Sequence, residues 1–127
     1  MPSDPLILTF ALFVAFQLKH FLADFVLQNA YMLGKTADDL SFVGPLATHC
    51  AVHASLTLAI ALHIDPAMWW LAPLDFGVHF TMDRIKASPR YLGRFDDPGT
   101  KPYWWAFGFD QMVHHLTHVS LIWLLVT

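Results

Sequence analysis

Histidine and aspartate residues recur in pairs four positions apart along this 127-residue chain. Residues four apart on an α-helix lie on the same face, so each pair offers two side chains to one site. The pairs are His20 with Asp24, His49 with His53, His79 with Asp83, and Asp110 with His114. Imidazole and carboxylate groups are ligands for zinc, manganese and iron, and two histidines on one helical face are a frequent zinc-binding arrangement. The spacing therefore predicts metal-binding or proton-transfer chemistry.

The composition of the chain indicates that these pairs lie in a membrane protein. Hydrophobic residues make up 56% of the chain and charged residues 13%, whereas soluble domains carry about 25% charged residues. The net charge of -3 and the lack of a basic run argue against nucleic acid as a partner. The single cysteine, Cys50, excludes an intrachain disulfide.

Four mostly apolar segments are long enough to cross a bilayer as helices, which requires about 20 residues each. They cover residues 6–27, 43–64, 66–85 and 103–126. We therefore predict an all-α fold, with residues 1–127 forming one domain that is a polytopic four-transmembrane-helix bundle. The first segment lacks the basic start and the cleavage site of a secretory signal, so we interpret it as a retained span.

The lysines and arginines predict the orientation of the bundle. Lys35 lies in the first connecting loop, and the other basic residues lie in or beside the third: Arg84, Lys86, Arg90, Arg94 and Lys101. The positive-inside rule places both loops in the cytoplasm. We accordingly predict a multi-pass protein of the cell inner membrane with both termini outside.

The alternating direction of the segments predicts that the four pairs converge. Pairs on the first and third segments lie near the segment ends, whereas pairs on the second and fourth lie near the beginnings. All four then reach the cytoplasmic third of the bilayer, in a layer roughly 10–15 Å deep. The predicted metal ligands are His20, Asp24, His49, His53, His79, Asp83, Asp110 and His114. We expect a divalent metal, with zinc favoured and manganese or iron as alternatives, and either one or two ions.

Neighbouring polar residues have alternative roles. We expect Asp75 to support a ligand or face a water cavity, and His118 to be either a ligand or an outer hydrogen-bonding group. Lys19 and Lys86 are expected to extend to the cytoplasmic interface. Lys86 has the alternative role of binding an anionic substrate group beside Asp83.

Four motifs in this order resemble the DUF3307 family of small bacterial and phage polytopic membrane proteins. They are HFLADFVLQ at 20–28, the His-x-x-x-His of the second segment, HFTMDRIK at 79–86 and DQMVH at 110–114. The resemblance implies an integral membrane protein of about four helices and assigns no biochemical activity. The positions that match the family motifs are His20, Asp24, Gln28, His49, His53, His79, Asp83, Lys86, Asp110, Gln111 and His114.

These features favour a membrane-embedded, metal-dependent hydrolase of a lipid-like substrate. Asp24 and Asp83 are the candidate catalytic bases, and Lys86, Arg84 and Arg90 are candidates for holding a phosphate. Three alternatives stay open: a proton or cation relay or transporter, a haem-binding bundle, and a structural protein whose polar groups join helices. A homo-oligomer is compatible with the sequence, although no Gly-x-x-x-Gly motif drives one.

Overall fold

The computed structural model describes residues 4–127, which form four α-helices and, over that range, no strand. The helices are α1 (Pro5–Phe21), α2 (Val43–Ile64), α3 (Leu71–Ala87) and α4 (Lys101–Val126). Helix α1 packs mainly against α2 and α4, and α3 packs against the same two helices. The predicted all-α fold is therefore confirmed, and the helices form a four-membered bundle.

Local sequence signals account for where the helices begin. The carboxylate of Asp4 accepts a hydrogen bond of 2.8 Å from the backbone amide of Leu6, and Pro5 occupies the first helical position, where no amide hydrogen is needed. Pro102 lies equally early in α4. Helix α2 has the bounds expected for the second apolar segment, 43–64.

The third apolar segment, expected to be one helix over 66–85, is divided in the structure. Residues Pro66–Trp70 form a 3₁₀ helix, capped by Asp65 through a 2.9 Å hydrogen bond from the amide of Ala67. Helix α3 begins only at Leu71. Pro73 lacks the amide hydrogen that an α-helix would direct to the carbonyl of Trp69, which favours the tighter turn before it.

A π-helical turn, Leu22–Val26, continues α1 and carries Asp24. It closes with a hydrogen bond of 2.8 Å from the amide of Leu27 to the carbonyl of Leu22. Such turns insert one extra residue into a helix and are frequent at functional sites. The turn therefore sets the direction of the Asp24 side chain at the end of the first apolar segment.

The two ends of the bundle have opposite polarity. One end is an apolar core built from Leu12, Phe16, Ala61, Leu71, Leu121, Ile122 and Leu125. These residues come from all four helices, and the predicted site residues lie at the other end. Among residues 4–127, the two stretches Pro5–Val26 and Leu40–Ile64 are long and apolar enough to cross a membrane. Helix α3 is shorter, at 17 residues, and α4 carries Asp110 and three histidines in its middle.

Candidate metal centre

Asp24 is the meeting point of three imidazoles from the first two helices. Its Oδ1 lies 2.8 Å from Nε2 of His53 and 3.3 Å from Nε2 of His49, and its Oδ2 lies 3.2 Å from Nε2 of His20. His49 and His53 are four residues apart on α2 and both are buried. Because Asp24 lies within the π turn, its carboxylate reaches α2 as well as the histidine on its own helix. Asp24, His49 and His53 can therefore share one metal ion.

Asp83 is the centre of a second group, formed by the last two helices. Its Oδ1 lies 3.0 Å from Nε2 of His114. Asp110, one turn before His114 on α4, places its Oδ1 3.4 Å from the other nitrogen of that ring. All three side chains are buried and offer ligand atoms within 4.8 Å of one another. Asp83, Asp110 and His114 thus form a second set with metal-binding geometry.

His49 joins the two groups. Its Nε2 lies 3.3 Å from Asp24 Oδ1 and 3.2 Å from Asp83 Oδ2. Two ligands bonded to one tetrahedral zinc ion lie roughly 3.3–3.6 Å apart. The spacing around His49 therefore suits neighbouring ligand atoms on a metal as well as it suits direct hydrogen bonds.

His79 is held in one tautomer by the buried carboxylate of Asp75. Its Nδ1 lies 2.9 Å from Asp75 Oδ1, while Lys19 Nζ and Thr57 Oγ1 donate to Asp75 Oδ2 at 2.7 and 2.6 Å. An ionised carboxylate only accepts hydrogen bonds, so His79 donates from Nδ1 and keeps its Nε2 lone pair. That Nε2 is buried without a hydrogen-bond partner among the described residues. Metal-binding histidines commonly have this carboxylate partner on the second nitrogen.

His114 is oriented in the same way by its own helix. Its Nδ1 donates to the backbone carbonyl of Asp110 at 2.8 Å, which leaves Nε2, 3.0 Å from Asp83 Oδ1, as the atom available to bind a metal. The His79 ring lies between the two groups, with its centroid 4.0 Å from that of His53 and 4.4 Å from that of His114. The structure thus presents two preoriented imidazole nitrogens to one polar interior.

All eight predicted ligands lie in this interior, but they differ in how directly they contact the two groups. Six belong to the two groups, whereas His20 touches the cluster through Asp24 and His79 through ring packing. His118 is buried beside His20 and Phe16, and neither of its ring nitrogens has a hydrogen-bond partner within residues 4–127. His63 is exposed on α2, away from the cluster.

The expectation that Lys19 extends to the cytoplasmic interface is wrong. Its side chain is 2% exposed and forms an ion pair of 2.7 Å with the fully buried Asp75. Burial of either charge alone would be costly, so the pair is maintained by mutual compensation. In the sequence, the only indication of this ion pair is that a lysine and an aspartate lie within two different apolar segments. Whether the two side chains meet depends on how each helix is rotated about its axis, which the sequence does not show.

Sequence reasoning also missed Lys35, which the first loop brings to the site. Its Nζ donates to Gln28 Oε1 at 3.2 Å and lies 3.9 Å from Asp83 Oδ2. The loop is held against α3 by Arg84, which donates to the carbonyl of Ala37 at 2.9 Å. No periodicity in the sequence marks such a contact, because loop closure and not helical spacing creates it.

A family model matches residues 12–127 and is described as Protein of unknown function (DUF3307). The chain belongs to the DUF3307 family. No curated protein and no solved structure matches it. The resemblance inferred from the four motifs is thereby confirmed over nearly the whole chain.

In this DUF3307 protein, the polar motif positions outside the eight predicted ligands also contact the cluster. Gln111 Oε1 lies 3.3 Å from His20 Nε2, and Lys86 Nζ lies 3.5 Å from Asp110 Oδ2. Gln28 reaches the cluster through Lys35. The four DUF3307 motifs of this chain therefore meet at one end of the bundle.

Proposed function

We propose that this protein is a multi-pass inner-membrane metalloprotein that binds two divalent cations at the cytoplasmic end of its bundle and hydrolyses a lipid-like ester. The observation that carries the proposal is the pair of His/Asp groups joined by His49. Zinc is the favoured ion, with manganese or iron as alternatives.

The distribution of polarity supports the membrane location. Large apolar side chains are exposed on every helix, for example Phe10 on α1, Leu62 on α2, Leu74 on α3 and Trp123 on α4. Twelve of the buried side chains in the described range are polar or charged. Soluble monomers rarely expose large contiguous apolar patches, because apolar surface in water costs about 25 cal/mol per Å². A bilayer around the four helices removes that cost.

Two of the helical stretches suffice by themselves as spans, and the other two are proposed to cross with them as parts of one bundle. The polar groups of α3 and α4 that are buried lie inside the bundle, which is how membrane proteins accommodate ionisable residues. The basic residues near the cluster, including Lys35 and Lys86, favour a cytoplasmic location for that end, with both termini outside.

The donor set supports divalent metal binding. Three carboxylates share a buried interior with imidazoles, two of which have their Nδ1 hydrogen already donated. Buried carboxylates this close together are costly unless cations compensate them. Thiolate ligands are absent from the cluster, which favours ions that accept oxygen and nitrogen donors. The carboxylates also fit poorly beside a porphyrin, which disfavours the haem alternative.

A hydrolytic reaction suits this site because a bound zinc ion would supply a coordinated water with a pKa of about 7. Asp24 is the better placed of the two candidate bases, since its side chain is 25% exposed and that of Asp83 is 9% exposed. Its carboxylate can accept a proton from an entering water and share it with His20.

Elemental analysis of the protein purified in mild detergent tests the metal site. We expect about two equivalents of metal in the wild type. His53→Gln and His114→Gln should each lose about one equivalent, because each removes a ligand from one group, and His49→Gln should lose both. His63→Gln, on the same helix as His53 but exposed at the far end, is the matched control and should keep the full content.

Circular dichroism on every variant separates loss of metal from loss of folding. A folded wild type that takes up no zinc, manganese or iron after reconstitution contradicts the proposal. Hydrolysis is then tested with phosphoester lipids in mixed micelles. Because Asp24 is also a ligand of the first group, turnover of Asp24→Asn is compared with that of His53→Gln, which loses the same metal ion, and should be lower still if Asp24 acts as the base.

A proton relay is the second candidate, favoured by the continuity of the contacts. A chain of contacts of 2.8–3.4 Å runs from His53 through Asp24, His49, Asp83 and His114 to Asp110. The opposite end of the bundle is an apolar core that does not continue this chain of contacts, which argues against a relay across the whole membrane. Proton flux in metal-free proteoliposomes would favour this candidate over the enzyme.

A further inference from the structure

Two lysines flank the second group of the metal centre. Lys35 Nζ lies 3.9 Å from Asp83 Oδ2, and Lys86 Nζ lies 3.5 Å from Asp110 Oδ2. The Lys35 side chain is 20% exposed and that of Lys86 is 38% exposed, so both ammonium groups lie between the buried carboxylates and the surroundings. They come from a loop and from the end of α3, and each lies against one carboxylate of the second group.

The arginines expected to bind phosphate have other partners. The guanidinium of Arg84 donates to the Ala37 carbonyl and lies 3.6 Å from the centroid of the Phe42 ring. Arg90 is exposed and pairs with Asp38 at 3.0 Å. Lys35 is therefore a better candidate for binding a phosphate than Arg84 or Arg90. Lys86 remains a candidate for binding an anionic group.

The charge of the loaded site favours an anion. Three carboxylates, Asp24, Asp83 and Asp110, face the two ammonium groups and the proposed divalent cations. The net formal charge is positive with either one or two cations, since Asp75 is already neutralised by Lys19. A buried positive site in a low-dielectric surrounding attracts a multiply charged anion such as a phosphate monoester.

An apolar groove of about 510 Å³ lies at the same end of the bundle as these groups. It is lined by Ile85, Leu92, Phe95, Pro102, Trp105, Ala106 and Phe109. Ile85 precedes Lys86 and Phe109 precedes Asp110 in the chain, so the groove is built from the same segments of α3 and α4 that carry these two polar side chains. A hydrocarbon chain in the groove would bring an attached phosphate to the lysines.

We infer that the substrate is a lipid phosphate monoester, with the phosphate bound between Lys35 and Lys86 and the hydrocarbon chain in the groove. This inference rests on the proposed function. In the reaction, the oxygen of water bonds to phosphorus and the ester bond from phosphorus to the lipid oxygen breaks. One proton of the water passes to the lipid oxygen, so the products are the lipid alcohol and inorganic phosphate.

Phosphate binding to the metal-loaded protein in detergent tests the lysines. Calorimetric titration with inorganic phosphate should show binding to the wild type that weakens about tenfold in Lys35→Met and in Lys86→Met, since each loses one charge-assisted hydrogen bond. Metal content should stay unchanged in both variants. Lys101→Met, an exposed change at the start of α4, is the control and should bind phosphate like the wild type.

The lipid part is tested with phosphatidic acid in mixed micelles. We expect tighter binding of phosphatidic acid than of inorganic phosphate, and Leu92→Gln should reduce that difference without changing the affinity for inorganic phosphate. Equal affinity for the two probes in wild type and variant overturns the lipid assignment. A wild type that retains metal but binds neither probe overturns the whole inference and leaves the metal proposal standing, whereas absence of metal overturns both.

Discussion

At the scale of single residues, the buried ion pair of Lys19 and Asp75 organises the site from outside the ligand groups. Asp75 receives hydrogen bonds from Lys19, Thr57 and His79. The first two donors fix its charge and position, and the third fixes the tautomer of His79. The expectation that Asp75 supports a ligand, as distinct from being one, remains a prediction that this geometry favours.

Asp75→Asn should therefore separate stability from metal affinity. The amide leaves the buried Lys19 unpaired, which should lower the free energy of unfolding by about 3–5 kcal/mol, and it should weaken metal binding by roughly 10–100-fold. Adding Lys19→Met should restore much of the stability, measured by thermal unfolding, because the unpaired charge is then gone. The metal affinity, measured by chelator competition, should stay low in the double variant.

If the double variant recovers both stability and metal affinity, the ion pair of Lys19 and Asp75 affects metal binding only through the stability of the fold. In that case the orientation of His79 does not depend on Asp75. Thr57→Val provides a milder comparison, since it removes one donor and leaves the ion pair in place. It should reduce stability by about 1 kcal/mol and metal affinity by less than Asp75→Asn does.

At the scale of elements, the first loop is part of the site although no helical spacing relates its residues to the ligands. Residues Met32–Thr36 form a 3₁₀ helix that packs against α2, where Gly34 permits close approach to Pro45. A Cβ at Gly34 would lie 2.9 Å from Pro45 Cγ, which is too close for most residues. Arg84 then joins the loop to α3, and this fixes the position of Lys35.

Arg84→Met should loosen the loop without emptying the metal site. Hydrogen exchange of residues 31–42 should accelerate about tenfold, because the variant loses a charge-assisted hydrogen bond and a cation–π contact with Phe42. The matched control is Arg90→Met, which removes an exposed ion pair to Asp38 in the same loop and should change exchange little. Equal effects of the two variants would show that Arg84 does not hold the loop.

At the scale of the whole molecule, the bundle has an apolar exterior, an apolar core at one end and a polar interior at the other. An apolar exterior of this kind is favoured by a low-dielectric surrounding. The proposed orientation gives the polar end access to the cytoplasm and to the inner leaflet.

Accessibility of single cysteines tests this orientation. In right-side-out membrane vesicles, an impermeant maleimide should label Thr127→Cys and His63→Cys, which lie at the end of the bundle opposite the candidate metal centre, and should label Asp97→Cys only after permeabilisation. The native Cys50 is fully buried and should react little in any sample. Labelling of Asp97→Cys in sealed vesicles would contradict the proposed orientation, and labelling of Thr127→Cys and His63→Cys on opposite sides would contradict four crossings.

The sequence by itself determined the helical class, the family and the set of residues that converge. Apolar length marks helices, four-residue spacing puts side chains on one face, and alternating direction brings the four pairs to one end. The first two are local properties and the third follows from the order of the helices in the chain. His49, Asp83 and His114 could therefore be assigned to the site without tertiary information.

Only the tertiary structure decided how those residues are connected. The division into two groups joined by His49, the pairing of Lys19 with Asp75 and the arrival of Lys35 all depend on the rotation of each helix and on loop closure. Rotation is set by packing between helices distant in sequence, and one π turn is enough to redirect Asp24. Local spacing in the sequence identifies which residues belong to a site, whereas packing between distant segments decides which of them contact each other.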